Sequence, residues 1–293
     1  MNREAALAEI KKPKSIENVL LAMRFMAKTG TVSDVSTLMP HASGNNQIIK
    51  KLAIDAICSI IKESLITRFG DLTAEMRQKL AAIMQTLDPK IIDEIGKDLF
   101  CSDDARRLSA LQMLGILKRH PRVEEFLTKL LRDKDPKIKA TAISLMGKMM
   151  GSNDQQMVIS LLSDPDARVR ANTVEALEYL RFQRSIPLLT RYRKEPNNRI
   201  RGNVLKALYK LGYTDIEEDL IEMLNAPEPL QKASALWVIS QIKFQSQRVE
   251  DACGACLLYT DNVVRKNAKS ALNILATPRS KGYLRYLGEI VKG

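Results

Sequence analysis

The stretch DPDARVRANTVEALEYL, residues 164–180, joins a proline-marked turn to the start of an amphipathic helix. Asp164 and Pro165 end the preceding element, because proline lacks an amide hydrogen and its ring clashes with the turn before it. Asp166 follows at a position where a carboxylate caps a helix and favours its positive N-terminal end. The apolar and small residues after it are spaced as on one face of a helix: Val169, Thr173, Val174, Ala176, Leu177 and Leu180. The stretch therefore predicts a turn followed by a helix with one face to bury.

The same helical pattern recurs along the chain, headed in most copies by a basic residue. These basic residues, called here the register residues, are Lys50, Arg77, Arg107, Lys139, Arg170, Arg201, Lys232 and Arg265. Successive register residues lie 27 to 33 residues apart, and a further copy without a base begins at Ile16. Because such a period exceeds one helix and its turn, each period must hold a second helix. The sequence thus predicts about nine pairs of helices joined by short turns.

Proline and glycine mark the ends of these predicted helices. Prolines stand in the turn within several pairs, at Pro136, Pro165, Pro196, Pro227 and Pro229. Glycines follow three of the helices at the position where a left-handed residue commonly ends a helix: Gly30, Gly151 and Gly212. Between residues 52 and 100 the proline turn is lost. Segments such as KESLITRFGDLTAEMRQ, residues 62–78, are expected to form longer, bent helices there, and the sequence leaves their pairing open.

Length and composition fit a chain of packed helices. The 293 residues are 45% hydrophobic and 27% charged, which is close to the globular average and argues against wholesale disorder. Only 5% are aromatic, with a single tryptophan, so the core must come from aliphatic side chains and the 12 methionines. The first residues contain no apolar run of a secretory signal, and no run long enough to span a membrane occurs. We therefore expect a soluble, cytoplasmic protein.

Two stretches carry a resemblance to a known repeat. LLRDKDPKIKATAISLMGKM, residues 130–149, and LLSDPDARVRANTVEALEYL, residues 161–180, resemble HEAT repeats, particularly the bacterial type also found in phycobiliprotein lyases. The resemblance implies an all-α fold, a right-handed α-α superhelix of the HEAT or armadillo kind, with the second helix of each pair lining the concave face. It implies a single solenoid over 1–293, with divergent repeats over 1–100, regular repeats over 101–276 and a C-terminal cap helix over 277–293.

The resemblance also gives recurring charged residues a structural role. In HEAT proteins the equivalent acidic and basic residues bond along the stack as a ladder, and a guanidinium between neighbouring turns satisfies helix-end groups. The residues expected in this ladder are Asp135, Lys139, Asp164, Arg170, Arg201 and Arg265. The alternative is that the same residues form a binding stripe.

Candidate binding residues lie on the solvent-facing side of the second helices, two and five residues after each register residue. Small polar side chains run along this predicted ridge, where an ordinary solvated face would carry more lysine and glutamate. The only tryptophan, Trp237, interrupts them beside Tyr209 and is expected to anchor a partner, unless it packs on the adjacent repeat. The predicted partner-binding residues are Asn172, Glu175, Asn203, Lys206, Tyr209, Ser234, Trp237 and Asn267.

The net charge of +12 favours an anionic partner, although solubility alone also explains such a surplus. Residues 181–210 hold nine basic residues and one acidic residue, and residues 265–292 hold seven and one. The predicted basic patch comprises Arg181, Arg184, Arg191, Arg193, Lys194, Arg199 and Lys210. Clustering of this kind does not distinguish nucleic acid from an acidic protein surface.

The sequence contains no convincing catalytic or metal-binding motif. Cys253 and Cys256 form a CxxC pair, but the pair lies in a predicted helix without two further ligands at zinc spacing, so we interpret it as helix packing. The histidines, His41 and His120, belong to no metal motif, and neither a glycine-rich phosphate loop nor a nucleophile elbow occurs. We therefore expect no enzyme, no metal and no cofactor.

The leading hypothesis is a non-enzymatic binding or scaffold protein, whose concave face binds a protein partner that is expected to be acidic. Trp237 would anchor this partner, and the basic residues would steer its association. The alternative is a nucleic-acid-binding protein that uses the basic C-terminal half. A third hypothesis, a subunit of the chromophore-lyase type, rests on the repeat type alone.

Overall fold

The computed structural model describes residues 1–117, 120–149 and 155–290, and the regular structure in these ranges is entirely helical. The all-α class predicted from the repeats is therefore confirmed. The chain forms two compact units, Met1–Ala142 and Ile143–Gly293, and the division falls inside one helix.

The N-terminal unit is built around one long helix. Its described helices are α1 (Arg3–Lys11), α2 (Ile16–Thr29), α3 (Val35–Ala42), α4 (Gln47–Thr67), α5 (Ala74–Leu87), α6 (Ile91–Leu99), α7 (Asp104–Leu114), α8 (Pro121–Leu130) and α9 (Pro136–Met149), which crosses the division. Helix α4, with 21 residues, packs against α2, α3, α5 and α7.

The segment 62–78 does not form the longer helix expected from the sequence. Helix α4 ends at Thr67, a short 3₁₀ turn follows at Phe69–Asp71, and the Thr73 hydroxyl accepts the amide hydrogen of Met76 at the start of α5. The prediction was wrong because this local cap stops one helix and starts the next without a proline.

The C-terminal unit repeats a pair of helices. Its described helices are α10 (Gln155–Ser160), α11 (Ala167–Tyr179), α12 (Ile186–Leu189), α13 (Asn198–Lys210), α14 (Glu217–Asn225), α15 (Pro229–Ile242), α16 (Gln247–Cys256), α17 (Asn262–Leu275) and α18 (Pro278–Ile290). Short 3₁₀ turns adjoin α10 and α12, at Leu161–Ser163, Gln183–Ser185 and Thr190–Tyr192.

Within this unit the helices form two packed layers. Helices α11, α13, α15 and α17 pack side by side in this order, and we call them the second-helix layer. Helices α14, α16 and α18 pack on one another in the same way in the other layer. Every residue of α13 from Ile200 to Leu208 is buried, because α11 and α15 flank the helix on both sides. Stacking therefore makes one continuous core of faces that no single pair can bury.

The second helices start at side-chain caps. Asp166, Asn197 and Asp261 each accept two amide hydrogens at the start of α11, α13 and α17. At α15 the residue before the helix, Glu228, makes no such bond, and Pro229 occupies the first turn, where its missing amide hydrogen costs nothing. The capping role predicted for Asp166 is confirmed.

The second helices end at left-handed residues, although only one of the four is glycine. The residues are Arg181, Gly212, Lys243 and Ala276, with φ angles of 50°, 102°, 51° and 54°. The prediction for Gly212 is therefore confirmed. Gly30 is extended, with φ of −69°, so the prediction there was wrong, and Gly151 lies outside the described residues. Composition does not reveal the other three positions, because side chains other than glycine rarely adopt this conformation.

Five register residues from Arg107 onward bind carbonyl oxygens at the end of the preceding helix or in the turn. The Arg201 guanidinium donates to the carbonyl oxygen of Arg193 at 2.8 Å, and that of Arg107 donates to Leu99 at 3.1 Å. The same kind of bond is made by Arg170, Lys232 and Arg265. These bonds satisfy helix-end acceptors that have no partner within their own helix.

Two arginines of the expected ladder pair with acids that follow them in the chain by about one repeat. Arg170 pairs with Glu195 at 3.4 Å, and Arg201 pairs with Glu222 at 3.0 Å. Asp164 also accepts the amide hydrogen of Asp166, and Asp135 accepts that of Lys137, within their own turns. Lys139 is half-buried on α9. The places of Asp135, Lys139 and Asp164 in this ladder stay predictions.

Candidate binding groove

The outward face of the second-helix layer carries a groove with a volume of about 420 Å³. The residues that line it are Glu175, Asn198, Arg199, Gly202, Asn203, Leu230, Ala233, Ser234, Trp237 and Asn267. They come from α11, α13, α15 and α17, which the repeat places next to one another. Five of the eight residues predicted to bind a partner line this groove: Glu175, Asn203, Ser234, Trp237 and Asn267.

Two exposed apolar side chains of α15 border the groove. Leu230 is 65% exposed and Trp237 is 36% exposed. They are seven residues apart, which corresponds to about 10 Å along a helix axis. Between them the groove is lined by small residues: Gly202, Ala233 and Ser234. The groove is therefore a shallow depression between two apolar rims.

Trp237 is held in place by a cation. The Lys206 ammonium lies 5.0 Å from the centroid of the indole and pairs with Glu178 at 3.0 Å. The indole is thus partly exposed and fixed in orientation, which suits an anchor. Tyr209 was expected beside Trp237, but its ring packs edge-to-face on Phe244, with centroids 5.6 Å apart.

Several polar residues of the predicted ridge link neighbouring helices. The Asn203 amide donates to the Ala171 carbonyl oxygen at 3.2 Å and to Glu175 at 2.7 Å. Asn267 likewise donates to the Ala233 carbonyl oxygen at 3.2 Å. These bonds join the second helices and fix the groove's shape.

The predicted exposure of Asn203 and Lys206 was wrong. Asn203 is 2% exposed, and Lys206 is also buried. Both residues lie on α13, and helices on either side cover even the outward face of α13 at these positions. They therefore support the groove from within.

Arg199 is the exposed cation of the groove. Its side chain is 53% exposed, and one terminal nitrogen donates to Asn172 Oδ1 at 3.0 Å. The nearest oxygen of Glu175 lies 3.9 Å away, beyond ordinary hydrogen-bond distance. The guanidinium is thus hydrogen-bonded to Asn172, lies at the outer limit of an ion pair with Glu175, and stays half exposed.

Three residues of the predicted basic patch are paired with acids from other helices. Arg193 and Lys194 pair with Asp219, which is almost fully buried on α14, and Lys210 pairs with Glu178 at 3.0 Å. Lys194 also bonds Glu222 and holds the pKa of that carboxyl below its usual value. Counting charges along residues 181–210 missed these acids, because they belong to neighbouring repeats.

Besides Arg199, three arginines of the predicted patch are exposed: Arg181, Arg184 and Arg191. Within the described residues they form no ion pair. The exposed positive charge of residues 181–210 is therefore smaller than the sequence count implies.

The cysteine pair lies inside the packed helices. Cys253 and Cys256 are buried on α16, and burial raises the pKa of both thiols. A Cβ atom on the intervening Gly254 would stand 2.6 Å from the Tyr283 ring, so α16 and α18 approach closely here. Both thiols are therefore packed and poorly reactive. Across the described ranges, no cluster of His, Cys, Asp and Glu side chains is arranged to hold a metal ion.

The two histidines make local hydrogen bonds. His120 accepts the amide hydrogen of Arg122 at the start of α8, and His41 lies 3.2 Å from the carbonyl oxygen of Ile10. In the part of the chain that the structure describes, none of the helices has the length and apolar character needed to cross a membrane.

Sequence reasoning missed several residues of the groove: Asn198, Gly202, Leu230 and Ala233. A usable signal existed for Leu230 and Arg199, since both lie two residues before a register residue and point outward in the same way. Gly202 could also have been found from the sequence, because a glycine inside a helix is unfavourable and often marks a packing or functional position.

Comparison with known proteins supports the repeat assignment. Residues 155–218 match the family model of HEAT repeats. The matched residues include α11 and α13. No curated protein sequence matches this chain.

Solved structures share the fold. Kap121p aligns with a TM-score of 0.53 at 12% identity, over 98% of this chain and 38% of that one. Kap95p, solved with RanGDP, aligns with a TM-score of 0.50 at 12% identity, over 97% of this chain and 43% of that one. Another Kap121p structure contains Nup53p. YibA of E. coli aligns with a TM-score of 0.42 at 15% identity, over 84% of this chain and 93% of that one.

The chain spans about two fifths of the length of Kap121p and Kap95p. At these identities the similarity concerns the fold. The fold class predicted from the sequence is confirmed: the chain is all-helical and resembles HEAT-repeat solenoids.

Proposed function

We propose that this chain is a non-enzymatic binding protein that holds a segment of a protein partner in the groove of its second-helix layer. Trp237 and Leu230 anchor the segment, and Arg199 contributes the electrostatic attraction expected for an acidic partner. A rigid, partly exposed tryptophan beside small residues is typical of an energetic centre of a protein interface.

Gly202 is the observation that carries this proposal. Glycine in a helix interior costs about 1 kcal/mol relative to alanine. Packing does not require it, because a Cβ atom there would lie 3.5 Å from Ser234 and Val238, an ordinary contact distance. At Gly147, by contrast, a Cβ atom would lie 2.7 Å from the Ala176 backbone. Gly147 allows two helices to approach, whereas Gly202 keeps the groove open at a cost in stability.

The contents of the groove favour a peptide over nucleic acid. Among its lining residues the exposed apolar side chains are Leu230 and Trp237 and the base is Arg199, whereas nucleic-acid sites depend on several phosphate-binding cations. The basic residues expected to form such a surface, including Arg193 and Lys194, are engaged with Asp219. A chromophore-lyase role has the repeat type as its sole support.

The experiment is a selection of peptides of about twelve residues, long enough to cross four packed helices. The library is panned on the wild-type chain and counter-selected on Trp237→Ala. Affinities of labelled peptides are then measured by anisotropy, and the emission of the only tryptophan reports groove occupancy directly.

We expect Trp237→Ala to weaken binding about thirtyfold, the loss of an interface hot spot of about 2 kcal/mol. Gly202→Ala should weaken binding severalfold while stabilising the fold by about 0.5–1 kcal/mol. The control is Leu258→Ala in the turn after α16, an exposed apolar residue outside the groove, which should leave affinity unchanged. The proposal fails if no selected peptide depends on Trp237, or if labelled DNA binds more tightly than any peptide.

A further inference from the structure

We infer that the occupant of the groove is an extended segment with an acidic side chain at Arg199 and an apolar side chain between Leu230 and Trp237, about three residues apart. This inference rests on the proposed function. It specifies which partner sequences the groove selects.

The width of the groove favours an extended chain. The rim residues Leu230 and Trp237 start about 10 Å apart on the axis of α15. A helix with side chains has a diameter of about 10–12 Å and does not enter such a space. An extended chain lies in it and directs alternate side chains to the two rims.

Charge complementarity favours an acidic side chain of the bound segment at Arg199. Arg199 carries five N–H donors, and within the described residues one of them is used, by Asn172. Glu175, the acid of the groove, is less exposed at 27% of its side chain and accepts the Asn203 amide. The groove therefore offers unused donors, and a planar guanidinium binds a carboxylate through two parallel hydrogen bonds.

The spacing of helices sets the interval between the two side chains. Arg199 belongs to α13, and the apolar rims belong to α15, which packs directly against it. Packed helices lie about 8–10 Å apart, and an extended chain advances about 3.3 Å per residue. If an acidic residue of the segment binds Arg199, the residue about three positions away therefore lies between Leu230 and Trp237.

The test uses the peptides selected above that depend on Trp237. We expect them to share an acidic residue about three positions from a leucine or an aromatic residue. Replacing that acid by lysine, or Arg199→Glu in the protein, should each weaken binding about tenfold. The two reversals together should restore most of the affinity, because the pair is re-formed with opposite sign.

Arg184→Glu is the matched control. It makes the same charge change at an exposed arginine outside the groove, so it changes long-range attraction but not the proposed pair. The inference is overturned if Trp237-dependent peptides carry no shared acid, carry a base instead, or respond equally to both arginine variants. Such peptides would still support the groove as a binding site, whereas their absence would remove the proposed function itself.

Discussion

The first hundred residues and the repeats of the C-terminal unit solve the same packing problem with different contacts. At Arg201 the register residue binds a helix-end carbonyl oxygen and an acid of the next helix. At Arg77 the guanidinium instead lies 4.4 Å from the centroid of the Phe69 ring, and its Nε has no partner among the described residues. A register residue is present in both places, but of these two only Arg201 bonds its helix to the end of the preceding one.

This difference explains where the groove forms. In the C-terminal unit the repeated bond gives each second helix the same relation to its turn, so four such helices lie side by side. In the N-terminal unit the long helix α4 packs against α2, α3, α5 and α7, so its faces are used in core packing. A binding surface made of equivalent outward positions requires equivalent helices.

The largest expected effect comes from removing the helix-end bond. Arg201→Met keeps the aliphatic stem but leaves the Arg193 carbonyl oxygen without this donor and removes the ion pair with Glu222, so we expect a loss of about 2 kcal/mol. Arg77→Met should cost less than about 1 kcal/mol, the scale of a cation–π contact. Urea unfolding followed by circular dichroism measures both. Equal losses of unfolding free energy would show that Arg201 and Arg77 contribute equally to stability.

A smaller effect is expected where the second helices end. The left-handed residues in the described chain all belong to the C-terminal unit. Gly212→Ala should destabilise it by about 1 kcal/mol, because alanine resists a φ of 102°. Ala276→Gly should stabilise it by about 0.5 kcal/mol, since relief of strain exceeds the added flexibility of the unfolded chain.

Thermal unfolding of the two variants decides between strain and flexibility. A stabilised Gly212→Ala would mean that the left-handed residue is not under strain. A destabilised Ala276→Gly would mean that unfolded-state entropy outweighs the conformation at that position.

The smallest expected effect is the dependence of stability on pH in acid solution. Hydrogen bonding to Arg168, together with the amide hydrogens of the first turn, lowers the pKa of Asp166 to about 2. Because this is below the unfolded value of about 3.9, the contribution is present above about pH 4 and is lost as the pH falls to about 2. Asp166→Asn retains the cap without the charge, so its deficit of a few tenths of a kcal/mol at neutral pH should vanish near pH 2.

The N-terminal unit supplies the contrast for this titration. Its helices α2, α4 and α5 are capped by Ser15, Asn46 and Thr73, which do not titrate in acid. Melting temperatures of wild type and Asp166→Asn at low salt, from pH 7 to pH 2, measure the difference. Parallel curves would mean that the cap charge has no role in stability.

Much of the site was predictable once the register was known. Outward positions counted from the register residues led to Ser234, Trp237 and Asn267, which line the groove. The same count placed Asn203 and Lys206 outside, where the structure buries them. Periodicity describes one helix at a time, whereas burial on α13 depends on the two helices that flank it. The charge count of the basic patch failed for the same reason, because Asp219 and Glu178 approach from other repeats.

The sequence by itself determined the helices, the repeat and the turns, because these depend on contacts between residues close together in the chain. Asp166, Pro165 and the spacing of apolar residues after Val169 are sufficient for that. Only the tertiary structure decided which outward residues remain available. It placed the Lys206 ammonium over the indole of Trp237, used Asn203 to join two helices, and brought Gly202 and Arg199 to the lining of the groove. Those outcomes depend on distances between side chains of different repeats, which local periodicity does not encode.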